Sequence, residues 1–171
     1  MEKIFGEDKV RILMLKAALL DTTETTIVQL ENNKMANIID PMLYHPSKKA
    51  SCFHYEVQHT NLQKNPPSLA KFLSLGAKVY AIVGNLNVQG CIVVDGDYIF
   101  SFCITKPFRG KGLGTKLLRH VLNLHGKTPL NLSVFNPTSD HGKNLIAYYT
   151  KYGFVSDVHN GKYLRMIRPP D

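Results

Sequence analysis

Three apolar runs, separated by two short polar turns, lie in the middle of the sequence. The runs span 79–83, 88–94 and 98–104 and are rich in β-branched and aromatic side chains, which favour strands. Residues 84–87 (GNLN) and 95–97 (DGD) have turn chemistry, and the second is a hairpin signal. Three strands joined by such turns form an antiparallel meander, so the chain is expected to build its core on a β-sheet.

Four more segments follow this meander in the order helix, strand, helix and strand, at 115–124, 130–134, 145–152 and 162–167. Apolar side chains recur at helical spacing in the first helix, and Gly126 and Gly153 are natural stops for the two helices. The order β-β-β-α-β-α-β predicts an α/β (α+β) fold, with a mixed, mostly antiparallel central sheet and helices on both of its faces.

The N-terminal part of the chain has weaker patterns. Residues 10–20 suit a helix or a strand, because periodicity alone does not separate the two. A strand is predicted over 25–31 and a helix over 34–43. A short helix over 68–75 is predicted by a proline before it and a glycine after it, the usual preference at helix ends.

A glycine-rich run, residues 109–115 (RGKGLGT), connects the third strand to the following helix. A helix N-terminus attracts anions through its amide groups and its dipole, and glycines let the backbone approach a ligand closely. The run lacks the GxxxxGK[ST] pattern of a P-loop, and it follows a meander where a dinucleotide-binding fold would have a βαβ unit. A phosphate-bearing ligand of another kind is therefore expected.

The glycine-rich run contains the pattern Arg-x-x-Gly-x-Gly from Arg109 to Gly114, with Phe108 before it. Residues 149–154 (YTKYGF) add the pattern Tyr-x-x-x-Gly-Phe, where the second helix ends and the next strand begins. In these two motifs and in their order, the chain resembles the GNAT superfamily of N-acetyltransferases. The resemblance covers about residues 77–168.

This resemblance implies a single N-acetyltransferase domain over residues 1–171, with a variable acceptor-side half at 1–76 and an acetyl-CoA-binding core at 77–168. It also implies a V-shaped splay between the strands that end near Ile104 and Val134. The splay would open a cleft for acetyl-CoA, the co-substrate.

The resemblance further implies how acetyl-CoA is bound. Backbone amides of the glycine-rich run would hold the pyrophosphate, with charge-assisted contacts from Arg109 and Lys111. The strand before the run would pair with pantetheine, and an amide near Ile104 would donate to the thioester oxygen. The implied cofactor-binding residues are Phe102, Cys103, Ile104, Arg109, Gly110, Lys111, Gly112, Leu113, Gly114, Thr115 and Asn144.

Tyr149 is implied as the general acid that protonates the departing CoA thiolate. The register of Tyr-x-x-x-Gly-Phe selects it over Tyr148 and Tyr152, and the alternative for all three is packing in the core. Family members often have an asparagine seven residues before this tyrosine, where this chain has Gly142, and the connection over 135–143 that contains it is longer than usual. Asn136 and Asn144 are the two possible replacements, and we favour Asn144 because it opens the helix.

The general base has several candidates and no preferred one: Glu56, Asp97, His120 and His141. A nucleophilic Cys103 is an alternative mechanism, although a thiol in an apolar strand usually packs as a small hydrophobic group. The histidine and cysteine spacings match no recognisable ligand set, so no metal is predicted.

Composition limits the classes of function. The net charge of +8 is spread along the chain, and no nucleic-acid motif accompanies it, so nucleic acid is not the expected partner. Three cysteines without CxxC spacing suggest buried thiols in a reducing compartment. Acidic residues near the N-terminus argue against a signal peptide, and no apolar run approaches the roughly 20 residues of a membrane span. We expect a cytoplasmic protein without membrane contact.

The resemblance predicts an enzyme that moves an acetyl group from acetyl-CoA to a primary amine by direct attack in a ternary complex. The acceptor would be a small molecule or a peptide, and a monomer and a homodimer are equally open. The alternative is a non-catalytic acyl-CoA-binding or sensor domain on the same scaffold. The retained Tyr149 favours the enzyme.

Overall fold

The computed structural model describes residues 11–12, 15–16, 25–43, 69–84 and 87–171. In this part of the chain the strands are β1 Thr26–Leu30, β2 Lys78–Gly84, β3 Asn87–Asp95, β4 Tyr98–Ile104, β5 Leu130–Phe135, β6 Val155–His159 and β7 Tyr163–Arg168. The helices are α1 Asn33–Leu43, α2 Leu69–Ser74, α3 Leu113–Leu124 and α4 Asp140–Lys151, and residues 11–12 and 15–16 are helical too. None of these described helices is long and apolar enough to cross a membrane.

The strands form a seven-stranded sheet in the order β1-β2-β3-β4-β5-β7-β6. The β1–β2, β2–β3, β5–β7 and β6–β7 pairs are antiparallel. β4 and β5 pair in parallel with Tyr98 opposite Asn131, and the Asn131 N–H donates to the Asp97 carbonyl at 2.8 Å. The predicted mixed, mostly antiparallel sheet is therefore confirmed. The splay towards Ile104 and Val134 stays a prediction.

The chain divides into two compact units, Met1–Val94 with Ser101–Arg119 and Asp95–Phe100 with His120–Asp171. In the first unit, α1, α2, β2 and β3 share one buried apolar cluster, which includes Ile39, Leu69 and Val79. Tyr80 and Ile82, which alternate with the cluster residues along β2, are buried as well. Both faces of β2 are thus covered, which explains its continuous apolar sequence.

The second unit is built on β5, β6, β7 and α4. Leu130, Leu132 and Val134 of β5 are buried while the residues between them are not, which is the alternation of a half-buried strand. Phe154 and Met166 are fully buried in the same unit. The prediction of a single domain over 1–171 stays a prediction.

The structure differs from the prediction at one unpredicted strand and at the starts of two predicted helices. β6 is absent from the predicted order, because all five of its residues are exposed and no buried face marks it in the sequence. α4 begins at Asp140, five residues before the predicted start, because Ser139 provides an N-cap that the apolar spacing does not show. α3 begins at Leu113, two residues early, since Gly114 is helical despite its low helix propensity.

The cysteines are only in part as expected. Cys91 is fully buried in β3. Cys103 is disulfide-bonded, which contradicts the expected thiol at that position. The alternative mechanism with a Cys103 nucleophile therefore lacks the thiol that it requires.

Candidate functional site

Two consecutive turns connect β4 to α3 in the first unit. In a 3₁₀ turn at Lys106–Phe108, the Phe108 N–H donates to the Thr105 carbonyl at 2.9 Å. Gly110 and Gly112 follow, and each has a φ of +78°, in the left-handed region that other L-residues rarely adopt. Glycine at both positions lets the chain reverse direction and enter α3 within a few residues.

The N-terminus of α3 follows this turn, residues 109–112, which we call the glycine turn. The first hydrogen bond of α3 runs from the Lys116 N–H to the Gly112 carbonyl at 3.1 Å. The N–H groups of the residues just before Lys116 therefore have no acceptor within the helix. Among the described residues, no atom lies within 4 Å of the place where a Cβ would stand on Gly110 or Gly112. The turn therefore has both the donors and the space that a phosphate group requires.

Two lysines beside the turn have different surroundings. Lys111 is exposed, and its ammonium lies 5.6 Å from the centre of the Phe108 ring. The Lys116 ammonium donates to the carbonyl and to the hydroxyl of Thr25, both at 2.7 Å. Lys116 thus ties α3 to the residue before β1, whereas the charge of Lys111 is open to a ligand.

The peptide group between Ile104 and Thr105 is bound on both sides. Its carbonyl accepts a hydrogen bond from Arg109 Nε at 2.8 Å, and its N–H donates to the Gln89 carbonyl at 2.9 Å. The Thr105 hydroxyl donates to the same Gln89 carbonyl at 3.2 Å. The end of β4 is therefore fixed to β3 and to the glycine turn.

Gly90 allows β3 to approach the end of β4 closely. A Cβ atom on Gly90 would lie 2.5 Å from the Cys103 carbonyl oxygen and 2.5 Å from Ile104 Cδ1. The predictions omit Gly90, although an isolated glycine within a strand pattern is a sign of close backbone approach. On the α3 side, Gly114 lies next to the side chains of Phe102 and Ile104.

Tyr149 lies on α4 in the second unit and is only 8% exposed. Its ring meets those of Tyr148 and Phe154 edge-on, with centroid distances of 5.4 and 5.7 Å. Burial raises the pKa of Tyr149, and the neighbouring Tyr148 raises it further. The side chain is therefore a neutral phenol at neutral pH and retains a proton to donate.

The C-terminal end of α4 has the register of the Tyr-x-x-x-Gly-Phe motif. Gly153 has a φ of +89°, and the Phe154 N–H donates back to the Tyr149 carbonyl at 3.2 Å, as at many helix ends. Arg168 on β7 donates from Nε to the Tyr152 carbonyl at 3.0 Å. These bonds fix the turn of helix that carries Tyr149.

The N-terminal end of α4 explains why the family's asparagine is missing. The Ser139 hydroxyl accepts from the Gly142 N–H at 3.0 Å and donates to the Asn136 carbonyl at 2.7 Å. Gly142 packs so closely against the backbone of Asn136 and Pro137 that a Cβ there would overlap the Asn136 carbonyl. No asparagine fits at position 142, and the two candidate replacements, Asn136 and Asn144, are both exposed.

The two units divide the predicted site residues. Residues 102–104 and 109–115 lie together in the first unit, and Asn144 and Tyr149 lie in the second. The candidate bases within the described residues are exposed or half-buried: Asp97, His120 and His141. Glu56 lies outside the described residues. Among the residues that the structure describes, no group of three or more metal-ligating side chains occurs.

Comparison with known sequences identifies a family. Residues 76–156 match the family model of the acetyltransferase (GNAT) domain. Over 74 residues the chain is 31% identical to N-alpha-acetyltransferase 50 of Danio rerio, a match that covers 43% of this chain and 44% of that protein. The chain therefore matches less than half of the length of this curated relative.

Solved structures share the fold at lower identity. PH1933 from Pyrococcus horikoshii OT3 is 24% identical with a TM-score of 0.58, covering 86% of this chain and 99% of that chain. The ribosomal-protein-S18-alanine N-acetyltransferase from Escherichia coli is 20% identical with a TM-score of 0.58, covering 85% and 94%. A GNAT family acetyltransferase from Elizabethkingia anophelis with acetyl-CoA bound is 14% identical with a TM-score of 0.55, covering 86% and 99%.

These comparisons agree with the motifs and with the architecture. The family model covers the segment that contains β2 to β5, the glycine turn and α4. The structural neighbours share the sheet and helices over most of the chain. Residues 76–156 of the chain belong to the GNAT superfamily of acetyltransferases.

Proposed function

We propose that this protein is an acetyl-CoA-dependent N-acetyltransferase, which moves the acetyl group to a primary amine by direct attack in a ternary complex. The observation that carries the proposal is the turn at Gly110 and Gly112, which opens the N-terminus of α3 to an anion. A relative named as an N-alpha-acetyltransferase and a structural neighbour with acetyl-CoA bound support the same donor and reaction.

In this proposal the backbone of residues 109–115 binds the pyrophosphate of acetyl-CoA. The exposed Lys111 ammonium adds a charge-assisted contact, whereas the Lys116 ammonium is occupied by Thr25. The half-buried end of β4, residues 102–104, pairs with pantetheine through its backbone. Bound in this way, acetyl-CoA supplies the acetyl thioester, and the protein holds it in a fixed orientation.

The Ile104 N–H is the donor that we assign to the thioester oxygen. The next amide, that of Thr105, already donates to the Gln89 carbonyl at 2.9 Å. Gly90 brings β3 directly against Ile104, so backbone packing sets the position of this donor. A donor that is already in place stabilises charge on a carbonyl oxygen without a cost of reorientation.

Tyr149 is the proposed general acid. As the amine nitrogen bonds to the acetyl carbon, the carbon–sulfur bond breaks and the CoA sulfur takes up a proton. The raised pKa of Tyr149 keeps its hydroxyl protonated for this purpose. Asn144, which is the fifth residue of α4 and does not open the helix as predicted, is our proposed contact for pantetheine from the same helix.

The acceptor amine loses its proton to a nearby base or to water. Asp97, His120 and His141 are the candidates among the described residues, and their positions do not distinguish one from the others. The acceptor itself is proposed only as an amine of a small molecule or a peptide.

A two-step experiment tests this function. Calorimetric titration with acetyl-CoA measures binding, and release of CoA thiol is then followed with a panel of amines: a peptide N-terminus, a lysine side chain, an aminoglycoside and a polyamine. We expect binding and a thiol release that depends on one class of amine. Binding without release for every amine would instead support the acyl-CoA-binding alternative, and a lack of binding would refute both.

A further inference from the structure

Arg109 makes a contact that its charge does not explain. Its Nε donates to the Ile104 carbonyl at 2.8 Å, which is an internal bond to the backbone of the preceding strand. The 3₁₀ turn at Lys106–Phe108 reverses the chain between the two residues, with the Arg109 N–H donating to the Lys106 carbonyl at 3.3 Å. The Arg109 side chain therefore closes a loop from the glycine turn back to the end of β4.

The carbonyl that Arg109 binds belongs to a peptide group whose other side is also held. The Thr105 N–H of this group donates to the Gln89 carbonyl at 2.9 Å, and the Thr105 hydroxyl donates to the same oxygen at 3.2 Å. With both of its polar atoms bonded, the peptide plane cannot rotate without breaking a hydrogen bond. Of the two residues that hold this peptide group, Arg109 belongs to the glycine turn and Gln89 to β3.

We propose that Arg109 is a positioning residue, which acts through Nε and the Ile104 carbonyl to fix the end of β4 relative to the glycine turn. This inference rests on the proposed function, because these two segments are the ones assigned to the acetyl and the pyrophosphate ends of acetyl-CoA. Holding them at a set separation pre-organises the site for both ends of one ligand. The positive charge of Arg109 is secondary in this role.

Arginine, glutamine and lysine differ in where they carry a hydrogen-bond donor and in whether they carry a charge, so variants at position 109 can separate the two effects. In arginine and in glutamine, a planar N–H donor occupies the ε position, four bonds from Cα. Glutamine can therefore donate to the Ile104 carbonyl without carrying a charge. Lysine keeps the charge, but its ε position is a methylene and its ammonium lies one bond further out.

The experiment compares Arg109→Gln, Arg109→Lys and Arg109→Ala with the wild-type protein. Acetyl-CoA affinity is measured by calorimetry, and KM for acetyl-CoA and kcat are measured separately. We expect Arg109→Lys and Arg109→Ala to weaken binding about tenfold, as the loss of one good hydrogen bond would. Arg109→Gln should bind more tightly than both and should recover the KM. Arg119→Lys, an exposed arginine on α3, is the matched control and should leave affinity unchanged.

A second measurement needs no ligand. Amide hydrogen exchange over residues 104–109 should be slower in Arg109→Gln than in Arg109→Lys or Arg109→Ala, because only glutamine restores the bond to Ile104. If the lysine variant does not fold, the glutamine and alanine variants make the same comparison.

Two results would overturn the inference. Tighter binding by Arg109→Lys than by Arg109→Gln would show that charge matters more than position. Equal affinity and equal exchange in Arg109→Gln and Arg109→Ala would show that the ε donor has no role. A wild-type protein that does not bind acetyl-CoA would refute the proposed function itself, before any variant is compared.

Discussion

The carbonyl oxygen of Asn136 occupies the space that a Cβ atom at Gly142 would need. Asn136 has a φ of +48°, and the same carbonyl accepts a hydrogen bond from the Ser139 hydroxyl at 2.7 Å. The connection between β5 and α4 is therefore folded onto the first turn of α4. This contact explains a glycine where the family often has an asparagine.

Replacing Gly142 by alanine should lower the free energy of unfolding by about 1–3 kcal/mol, because the added methyl group is forced against fixed backbone. In an unconstrained helix the same change would stabilise by about 1 kcal/mol, so a loss would report the steric clash. Chemical denaturation of the two proteins measures the difference.

Gly126→Ala is the matched control for this change. A Cβ on Gly126 would meet the Asp171 carboxylate at 3.3 Å, which is the end of an exposed side chain ion-paired with Arg168 and not fixed backbone. We expect a change in stability of less than about 0.5 kcal/mol there. Equal effects of the two alanines would contradict the packing of the connection on α4.

Alanine substitutions at Gly112, in the glycine turn, and at Gly161, outside it, test whether the glycine turn binds acetyl-CoA. Their φ angles are +78° and +89°, and no described atom lies within 4 Å of a Cβ on either. Alanine at either position should lower the free energy of unfolding by about 1–2 kcal/mol, since L-residues are strained in the left-handed region. Only Gly112→Ala should also weaken acetyl-CoA binding, by about tenfold or more, because it distorts the backbone assigned to the pyrophosphate.

Denaturation and calorimetry on both variants make this comparison. Gly161 lies in the turn between β6 and β7, so its alanine variant shares the strain without touching the glycine turn. If Gly112→Ala bound acetyl-CoA as tightly as Gly161→Ala, the turn would not be the phosphate site.

The sequence predicts the central strands to within one residue at each end, and it does not predict β6. β2 and β3 are buried along almost their whole length, so their apolar runs are continuous and end at turn residues. Every residue of β6 is exposed, and two of its five residues are valines at 58% and 56% exposure. Without a buried face, the strand imposes no alternation that could be recognised.

The candidate site likewise has one part that the sequence predicts and another part that it does not. The glycine turn is predictable because only glycine adopts a φ of +78° at no steric cost, so the requirement appears directly as residue type. The bond from Arg109 to Ile104 and the contact of Asn136 with Gly142 depend on how a whole loop folds back. No local propensity encodes such contacts, so they appear only in the three-dimensional structure.

Replacing Tyr149 by phenylalanine tests its role as the general acid. The ring contacts with Tyr148 and Phe154 would remain, while the proton for the CoA sulfur would be lost. We expect kcat to fall by about 10²-fold and the acetyl-CoA affinity to stay nearly intact. Because burial raises the pKa of Tyr149 above its ordinary value of 10.0, its ionisation should not reduce the wild-type rate at pH 7 to 9.

Tyr152→Phe is the control for this prediction. Tyr152 is half-buried on the turn that follows α4, and its ring contacts Tyr148 at a centroid distance of 5.1 Å. Removal of its hydroxyl should leave kcat unchanged. Wild-type turnover in Tyr149→Phe would mean that Tyr149 is a core aromatic and that another group, or water, protonates the thiolate.

Asp40 links α1 to α2 and makes stability depend on pH. One of its carboxylate oxygens accepts from the Leu69 N–H at 3.3 Å. Burial raises the pKa of Asp40 from 3.8, although this hydrogen bond lowers it in part. The native state therefore binds a proton more tightly than the unfolded state, so the stabilisation is complete below pH 3.8 and is lost as the pH rises through the raised native value.

Asp40→Asn should accordingly be more stable than the wild-type protein at pH 7, because it keeps the oxygen that binds Leu69 and removes a half-buried charge. Solvent screening limits the gain to about 0.5 kcal/mol, and the gain should shrink as the pH falls towards 4. Denaturation curves of both proteins between pH 4 and pH 7 measure it, with Asp95→Asn at the exposed end of β3 as the control. A less stable Asp40→Asn at pH 7 would mean that the hydrogen bond to Leu69 outweighs the cost of burial, and a difference that does not vary with pH would mean that the two effects cancel.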